Sequence, residues 1–298
     1  MLPRECHRLG DCYGPDGNAM VAVNSNRINA LSEPQTETVL TDFSNGIMRI
    51  TLNKPDAANA ISQDQRELLI ALFEQADNDP AVRVIVLAAN GRHFCSGADV
   101  RAMAGKMAGP RLPGATIRTM MQGAQRLIAA VLDCGKPVIA AVQGPAAGMG
   151  AHLALACDMI VATENASFSQ PFVLRGLSLD AAGAYLLPRR LGLQKAKEMA
   201  FLGDKISADE AKTLGLVNIV ASEADFAGEV DKLSARLANS ATMAISLTKR
   251  LLNGSLDQDR NSAFLAEAMA QEIIGTTEDV KEGVASFLEK RPSNFKGQ

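Results

Sequence analysis

Two glycine-rich segments, each following a short apolar stretch, carry the residue types that most directly suggest chemistry. The first covers residues 90–100 after the apolar residues 84–89, and the second covers residues 143–152 after residues 137–142. Where a strand leads into a helix through small residues, free N–H groups at the helix start can bind an anion. Two such turns that face each other would stabilise negative charge developing on a carbonyl oxygen. The alternative is that these glycines only permit tight turns, since neither segment matches a Walker loop or the pattern GxGxxG.

The elements around these turns predict an α/β fold. Residues 38–52, with the turn dipeptide Asn45-Gly46 at their centre, are typical of a β-hairpin. Ser62 and Gln65 form a capping box that begins an amphipathic helix. Apolar runs without alternation predict parallel strands covered on both faces, and they lie at residues 84–89, 138–142 and 157–162. Helical patterns lie between and after them, at residues 116–132, 148–156, 181–190, 194–202 and 207–213. Strands joined by helical crossovers indicate the α/β class.

Three regions follow from the pattern along the chain. Residues 1–35 hold glycine, proline and asparagine without hydrophobic periodicity, which predicts a flexible N-terminal arm. Residues 36–221 form the α/β core, which ends in a short strand predicted at residues 216–220. Residues 222–298 keep helical spacing almost throughout and predict a C-terminal helical subdomain.

Composition excludes several classes of function. The net charge is −3 and the basic residues are scattered, so a nucleic-acid or membrane-surface footprint is not expected. No apolar run approaches the roughly 20 residues of a membrane-spanning helix. The five cysteines have no CxxC spacing and the three histidines form no HExxH, so neither a disulfide framework nor a metal site is expected. These features predict a cytoplasmic protein.

The two glycine-rich segments also carry a family resemblance. The sequence Phe-Cys-Ser-Gly-Ala-Asp-Val at residues 94–100 resembles the F-[CS]-[AS]-G-x-D-[LIV] motif of the enoyl-CoA hydratase/isomerase (crotonase) family. Residues 136–162 resemble the family's K-P-V-I-A-A-V-x-G-x-A-x-G-x-G-x-x-L-A-L-x-C-D-x-x-x-A segment. Further matching segments occur in the family's order, at residues 52–60, 166–171, 176–183, 187–188, 207–211, 215–217 and 281–292. The resemblance covers the chain from residue 36 to the C-terminus.

The resemblance implies a spiral of ββα units with a C-terminal helical region, assembled as a homotrimer or a homohexamer. It also implies an acyl-CoA thioester substrate and no separate cofactor. Carried over by motif, the two oxyanion donors are the amides of Ala98 and Met149. The positions that would line the CoA site are Ala58, Ala60, Ser96, Ala98, Asp99 and Val100, with Phe287 and Lys290 reaching a CoA from the C-terminal tail.

The chain departs from the family pattern where a hydratase carries its two glutamates, because His152 and Phe172 occupy those positions. Adding water across a double bond needs a positioned water and a proton donor, hence two acid/base groups. Asp180 resembles the acidic residue of epoxyphenylacetyl-CoA and dienoyl-CoA isomerases. Double-bond migration needs one base that removes a proton and returns it elsewhere. We therefore expect an isomerase that uses Asp180.

Alternatives remain for both residues and for the activity. Asp180 could cap a helix that begins at Ala181, and His152 could be a packed core residue or an acid/base group. A second hypothesis is a divergent hydratase, thioester lyase or hydrolase that uses His152 or a bound water. A third is a non-catalytic acyl-CoA-binding protein.

Overall fold

The structure is a computed structural model that describes residues 38–99 and 113–298. Its strands are β1 (Val39–Ser44), β2 (Ile47–Leu52), β3 (Val84–Ala89), β4 (Val138–Val142), β5 (Ala146–Ala147), β6 (Met159–Thr163), β7 (Ser167–Ser169), β8 (Lys205–Ser207) and β9 (Ile219–Ala221). Its α-helices are α1 (Gln63–Asn78), α2 (Ala115–Thr119), α3 (Arg126–Asp133), α4 (Met149–Ala156), α5 (Gly183–Leu202), α6 (Ala208–Thr213), α7 (Glu223–Ala238), α8 (Thr242–Gly254), α9 (Arg260–Ile274) and α10 (Glu278–Glu289).

Six strands form the main sheet in the order β1-β2-β3-β4-β6-β9. Strands β1 and β2 are the antiparallel hairpin around Asn45-Gly46, and the remaining pairs are parallel. Strand β4 is buried along its whole length, as expected of a parallel strand covered on both faces. Strands β5, β7 and β8 form a second, smaller sheet. The α/β prediction and the predicted hairpin are confirmed.

Helix α1 begins as predicted. The Ser62 side chain accepts a hydrogen bond from the Gln65 amide at 3.3 Å, and the Gln65 side chain accepts one from the Ser62 amide at 3.1 Å. This exchange satisfies two donors that would otherwise be unpaired at the helix start. The start of α1 is therefore fixed close to Ile61, which pairs with the first glycine-rich turn.

Some elements differ in their bounds from the prediction. The stretch predicted at residues 116–132 is divided into α2, a π-helical turn at Met120–Gln125, and α3. Helix α5 spans the two helices predicted at residues 181–190 and 194–202, and the non-helical backbone of Gly192 separates them as predicted, although the first begins later, at Gly183. The predicted strand at residues 216–220 is shorter and ends later, as β9. The spacing of apolar residues does not indicate a π-helical turn, because the one extra residue in that turn shifts the apolar face only locally.

The C-terminal residues are mainly helical, as predicted. Val230 and Leu233 of α7 pack on Val84, Val86 and neighbouring buried residues of the main sheet. The boundary placed between residues 221 and 222 stays a prediction. The N-terminal arm predicted at residues 1–35 lies outside the described residues. None of the helices in the described ranges is long and apolar enough to cross a membrane.

Candidate active site

The two glycine-rich turns lie directly against each other. Cys95 and Ala146 form a parallel bridge, and the Ala147 amide donates to the Cys95 carbonyl at 2.9 Å. This contact requires glycine at position 150, because a Cβ atom there would lie 2.3 Å from the Cys95 carbonyl oxygen. Position 97 also requires glycine, because its φ is +103°. The turns that follow β3 and β4 are therefore held together by backbone contact.

The amides of Ala98 and Met149 lie beside this junction. The Ile61 amide donates to the Gly97 carbonyl, and the Asp99 amide donates to the Ile61 carbonyl. In a parallel pair these bonds leave the groups of the intervening residue, Ala98, directed away from Ile61. A Cβ atom on Gly97 would lie 3.5 Å from the Met149 nitrogen, so the amide that follows Gly97 is a near neighbour of that nitrogen. Among the described residues, neither the Ala98 nor the Met149 amide donates a hydrogen bond.

The predicted CoA positions lie on a loop that Asn59 ties to the first turn. Asn59 is buried, and its side-chain amide donates to the carbonyls of Asn90 and His93 at 2.9 and 2.7 Å. Its side-chain oxygen accepts a hydrogen bond from the Lys54 amide at 2.8 Å. Ala58 beside it accepts a hydrogen bond from the Ser96 amide at 3.0 Å. The structure therefore brings together the loop of Ala58 and Ala60 with the turn of Ser96, Ala98 and Asp99.

The remaining predicted CoA positions are placed differently. Val100 lies outside the described residues. Phe287, on α10, is 82% exposed, and Lys290 ends this helix in a left-handed conformation. Asn59 was missed by sequence reasoning. The residue type could have indicated it, because asparagine adopts positive φ more readily than most residues other than glycine, and Asn59 has positive φ.

Asp180 is half-buried and precedes an unusual backbone turn. Helix α5 begins at Gly183, and Ala182 occupies its N-cap position without a side-chain hydrogen bond. The alternative that Asp180 caps a helix beginning at Ala181 is therefore wrong. Both Ala181 and Ala182 have positive φ, at 44° and 61°, which costs free energy in residues other than glycine. The Asp180 carbonyl accepts a hydrogen bond from the Gly183 amide at 2.8 Å, which holds this turn closed.

The Asp180 carboxylate is electrostatically perturbed. Its Oδ1 atom is buried and has no hydrogen-bond partner among the described residues. Burial raises the pKa of this carboxyl, and the Arg66 guanidinium on α1 opposes that shift. Removing a carboxylate from water disfavours its charged form, which makes it a stronger base. Arg66 was not identified from the sequence, because no pattern in the residues of α1 indicates that it lies close to Asp180.

His152 is fully buried on α4 and is enclosed by aromatic and backbone contacts. Its ring stacks on Phe172 with a centroid separation of 5.6 Å and an interplanar angle of 8°. Phe172 in turn lies over the second turn, 3.4 Å from the position of a Cβ on Gly148. The two positions that hold glutamate in family hydratases are therefore in contact here. They form an apolar stack in place of a pair of carboxylates.

The imidazole of His152 stays neutral. Burial lowers the pKa of His152 to about 4, although the nearby Gln170 side chain and Asp180 backbone act in the opposite direction. Neither ring nitrogen forms a hydrogen bond of ordinary geometry within the described chain, and neither polar atom of the buried Gln170 side chain does so. Sequence reasoning did not identify Gln170 as a neighbour of His152.

The Cys95 thiol also lies at the junction of the two turns. Burial raises the pKa of the Cys95 thiol to about 12, so this group stays protonated and is a poor nucleophile. Within residues 38–99 and 113–298, no cluster of three or more histidine, cysteine, aspartate or glutamate residues could hold a metal ion.

Comparison with known proteins identifies the family of the chain. A sequence profile described as enoyl-CoA hydratase/isomerase matches residues 42–298. A probable enoyl-CoA hydratase of Rhodobacter capsulatus is 36% identical over 262 residues, covering 88% of this chain and 98% of the relative. A 1,2-epoxyphenylacetyl-CoA isomerase of Escherichia coli K12 is 32% identical over 263 residues, covering 88% and 99% respectively.

Solved structures show the same relationship. The crystal structure of an enoyl-CoA hydratase/isomerase from Cupriavidus metallidurans CH34 superposes with a TM-score of 0.82 at 32% identity, covering 89% of this chain and 98% of that one. The prediction of a crotonase fold is confirmed by this match and by the profile. The chain belongs to the enoyl-CoA hydratase/isomerase family and is an acyl-CoA-processing enzyme of that family.

Proposed function

We propose that this enzyme moves a double bond within an enoyl-CoA thioester and that Asp180 is its single base. The observation that carries the proposal is the carboxylate itself. Asp180 is half-buried, has an oxygen with no hydrogen-bond partner in the described chain, and has a pKa raised by burial. The positions of the two hydratase glutamates hold His152 and Phe172. One competent carboxylate suits proton transfer between two carbons better than it suits the addition of water.

The mechanism follows from two groups of this chain. The amides of Ala98 and Met149 donate to the thioester oxygen and stabilise the enolate, each contributing roughly 3–4 kcal/mol to the transition state. Asp180 removes a proton from the carbon next to the double bond, and the electron pair delocalises onto the thioester oxygen. The same carboxylic acid then returns the proton to a different carbon of the conjugated system. The double bond has moved and Asp180 is again ionised, so no other reactant is needed.

Hydration is the second candidate, because the names of relatives favour it. The relative from Rhodobacter capsulatus carries the name enoyl-CoA hydratase. Hydration here would need His152 to act as the acid/base group. A fully buried imidazole whose pKa is lowered to about 4, stacked on Phe172, is poorly suited to exchange protons with a water near neutral pH.

Substrate binding and assembly follow the family in this proposal. The CoA portion binds along the loop of Ala58 and Ala60 and the turn of Ser96 and Asp99. We infer a homotrimer or a homohexamer, in which the exposed Phe287 and Lys290 reach the CoA of a neighbouring subunit. An exposed apolar surface supports assembly, and on α9 it comprises Phe264, Leu265, Met269 and Ile273.

The test is a substrate panel read by mass and by absorbance. Purified enzyme is incubated with enoyl-, dienoyl- and aryl-CoA thioesters, and we expect a product of unchanged mass with altered absorbance. Asp180→Asn should lower kcat by roughly 10²–10⁴-fold, since it removes the base. Asp204→Asn, at an exposed aspartate on the turn before β8, is the matched control and should leave the rate unchanged. A product heavier by one water, or full isomerisation by Asp180→Asn, would contradict the proposal.

A further inference from the structure

A polar cavity lies between α1 and the segment formed by α2 and the π-helical turn. Its volume is about 340 Å³. Arg66 lines it from α1, Arg118 lines it from α2, and Gln122 and Gly123 line it from the π-helical turn. A π-turn inserted between two α-helices is frequently associated with a functional site. The cavity is therefore a candidate for binding part of a ligand.

Arg66 is the principal charged group of this cavity and lacks a direct partner. Its Nε atom is buried without a hydrogen bond, and its side chain forms no salt bridge with any residue in the described ranges. The Arg66 guanidinium lies beside Gly123 of the π-helical turn, since a Cβ there would lie 3.6 Å from the Arg66 Cζ atom, in ordinary van der Waals contact. Buried polar atoms are normally hydrogen-bonded, so the Nε atom of this partly exposed arginine has unused capacity to donate to an anion.

The remaining charges around the cavity leave it positive. Arg118 is exposed at its rim and is likewise without a salt bridge to the described residues. Glu67 also lines the cavity, but it is exposed and its Oε1 atom accepts a hydrogen bond from Gln63 at 3.1 Å. Two guanidinium groups therefore face one carboxylate that is already engaged.

Two observations connect this cavity with the candidate active site. Helix α1 begins two residues after Ile61, whose backbone pairs with the turn of Ala98. The charge of Arg66 also acts on Asp180, because it lowers the pKa of that carboxyl. A thioester oxygen held at Ala98 and a reacting carbon held at Asp180 would thus direct the distal acyl carbons toward Arg66.

We propose that this cavity is a subsite for the far end of the acyl chain and that Arg66 binds a carboxylate carried there. The preferred substrates would then be unsaturated mono-CoA thioesters of dicarboxylic acids. Arginine suits this role because its planar guanidinium can donate two parallel hydrogen bonds to a carboxylate. The proposal rests on the proposed function for the position of the thioester and of the reacting carbons.

The test compares two substrates of equal chain length, one ending in a methyl group and the other in a carboxylate. At pH 8 we expect kcat/KM of the wild type to favour the carboxylate-ended enoyl-CoA. Arg66→Met should reduce kcat/KM for that substrate by about tenfold or more and leave the methyl-ended substrate within about threefold, as expected for loss of a charge-assisted hydrogen bond. Arg66→Lys keeps a cation at this position, so it should retain part of the preference for the carboxylate-ended substrate. Arg126→Met, at an exposed arginine of α3, is the control.

A binding measurement separates this subsite from the isomerase proposal. Calorimetry with the corresponding saturated acyl-CoA thioesters, which cannot react, should show the same Arg66-dependent preference for the carboxylate. If no isomerisation is found but this binding preference persists, the subsite stands and the proposed function fails. Equal losses for both substrates in Arg66→Met would mean that Arg66 acts on Asp180 or on the phosphates of CoA. That result, or a wild type without the preference, would overturn the subsite.

Discussion

Replacing Gly183 with alanine tests whether α5 and His152 together hold Asp180 in place. A Cβ atom at position 183 would lie 2.2 Å from Cε1 and 2.4 Å from Nε2 of the His152 ring. The ring cannot easily move away, because Phe172 is stacked on it and lies over Gly148. The start of α5 must therefore shift, and Asp180 must shift with it, because its carbonyl accepts the Gly183 amide hydrogen bond at 2.8 Å.

The magnitude follows from overpacking. Forcing a methyl group into a filled space costs about 1–3 kcal/mol, and the better helix propensity of alanine returns at most about 1 kcal/mol. For a chain of this size, each kcal/mol lowers Tm by roughly 2–4 °C. The effect on catalysis should be larger than the effect on stability. A displacement of about 1 Å at a catalytic group can lower the rate roughly 10²-fold, so we expect kcat to fall at least about tenfold.

The assay pairs thermal unfolding with isomerase kinetics on Gly183→Ala and Gly228→Ala. Gly228 lies within α7, and a Cβ there would meet no atom within 4 Å. Gly228→Ala should therefore raise the stability by up to about 1 kcal/mol without changing kcat. If Gly183→Ala were as stable and as active as the wild type, α5 would not press on His152 and the account of how Asp180 is positioned would be refuted.

Two further predictions concern charge. Burial raises the pKa of Asp180, and the proposed base must be ionised, so kcat/KM should fall on acidification at a pH above the ordinary aspartate pKa of about 3.9. Arg66→Met removes the cation that lowers this pKa, so the acidic limb of the pH–rate profile should move to higher pH. An acidic limb that does not move would exclude this coupling between Arg66 and Asp180. Lys249→Ala should cost about 3–5 kcal/mol in denaturant unfolding, because it leaves Asp158, 2.9 Å from the buried ammonium, without its partner. Lys281→Ala, at an exposed pair, should cost less than about 1 kcal/mol, and equal losses for both variants would contradict the difference in burial.

Much of the framework could be predicted from the sequence, because its signals are local. The turn dipeptide Asn45-Gly46 fixes the β1–β2 hairpin, and the capping box of Ser62 and Gln65 fixes the start of α1. Apolar runs without alternation located β3 and β4, since parallel strands are buried on both faces. Each of these signals lies within a few residues of the structure that it specifies.

The surroundings of Asp180 could not be predicted, because distant contacts determine them. Alanine rarely adopts positive φ, so an aspartate followed by two alanines suggests a helix start at Ala181. In the structure the helix begins at Gly183, and both Ala181 and Ala182 before it are left-handed. Gly183 packs on His152, which lies about 30 positions earlier in the chain. The proximity of Arg66 to Asp180 is a contact of the same long-range kind.

The residues at the positions of the two hydratase glutamates support the proposal of a mechanism with one carboxylate. Phe172 and the neutral His152 form an apolar stack where a nucleophilic water would have to be held by ionised groups. In the proposed mechanism, excluding water from that side would strengthen the attraction between the amides of Ala98 and Met149 and a developing enolate. Burial of the Asp180 carboxyl raises its pKa, which suits a group that must take a proton and give it back. In the proposed mechanism, the loss of the hydration machinery and the raised pKa of the Asp180 carboxyl both favour double-bond migration over the addition of water.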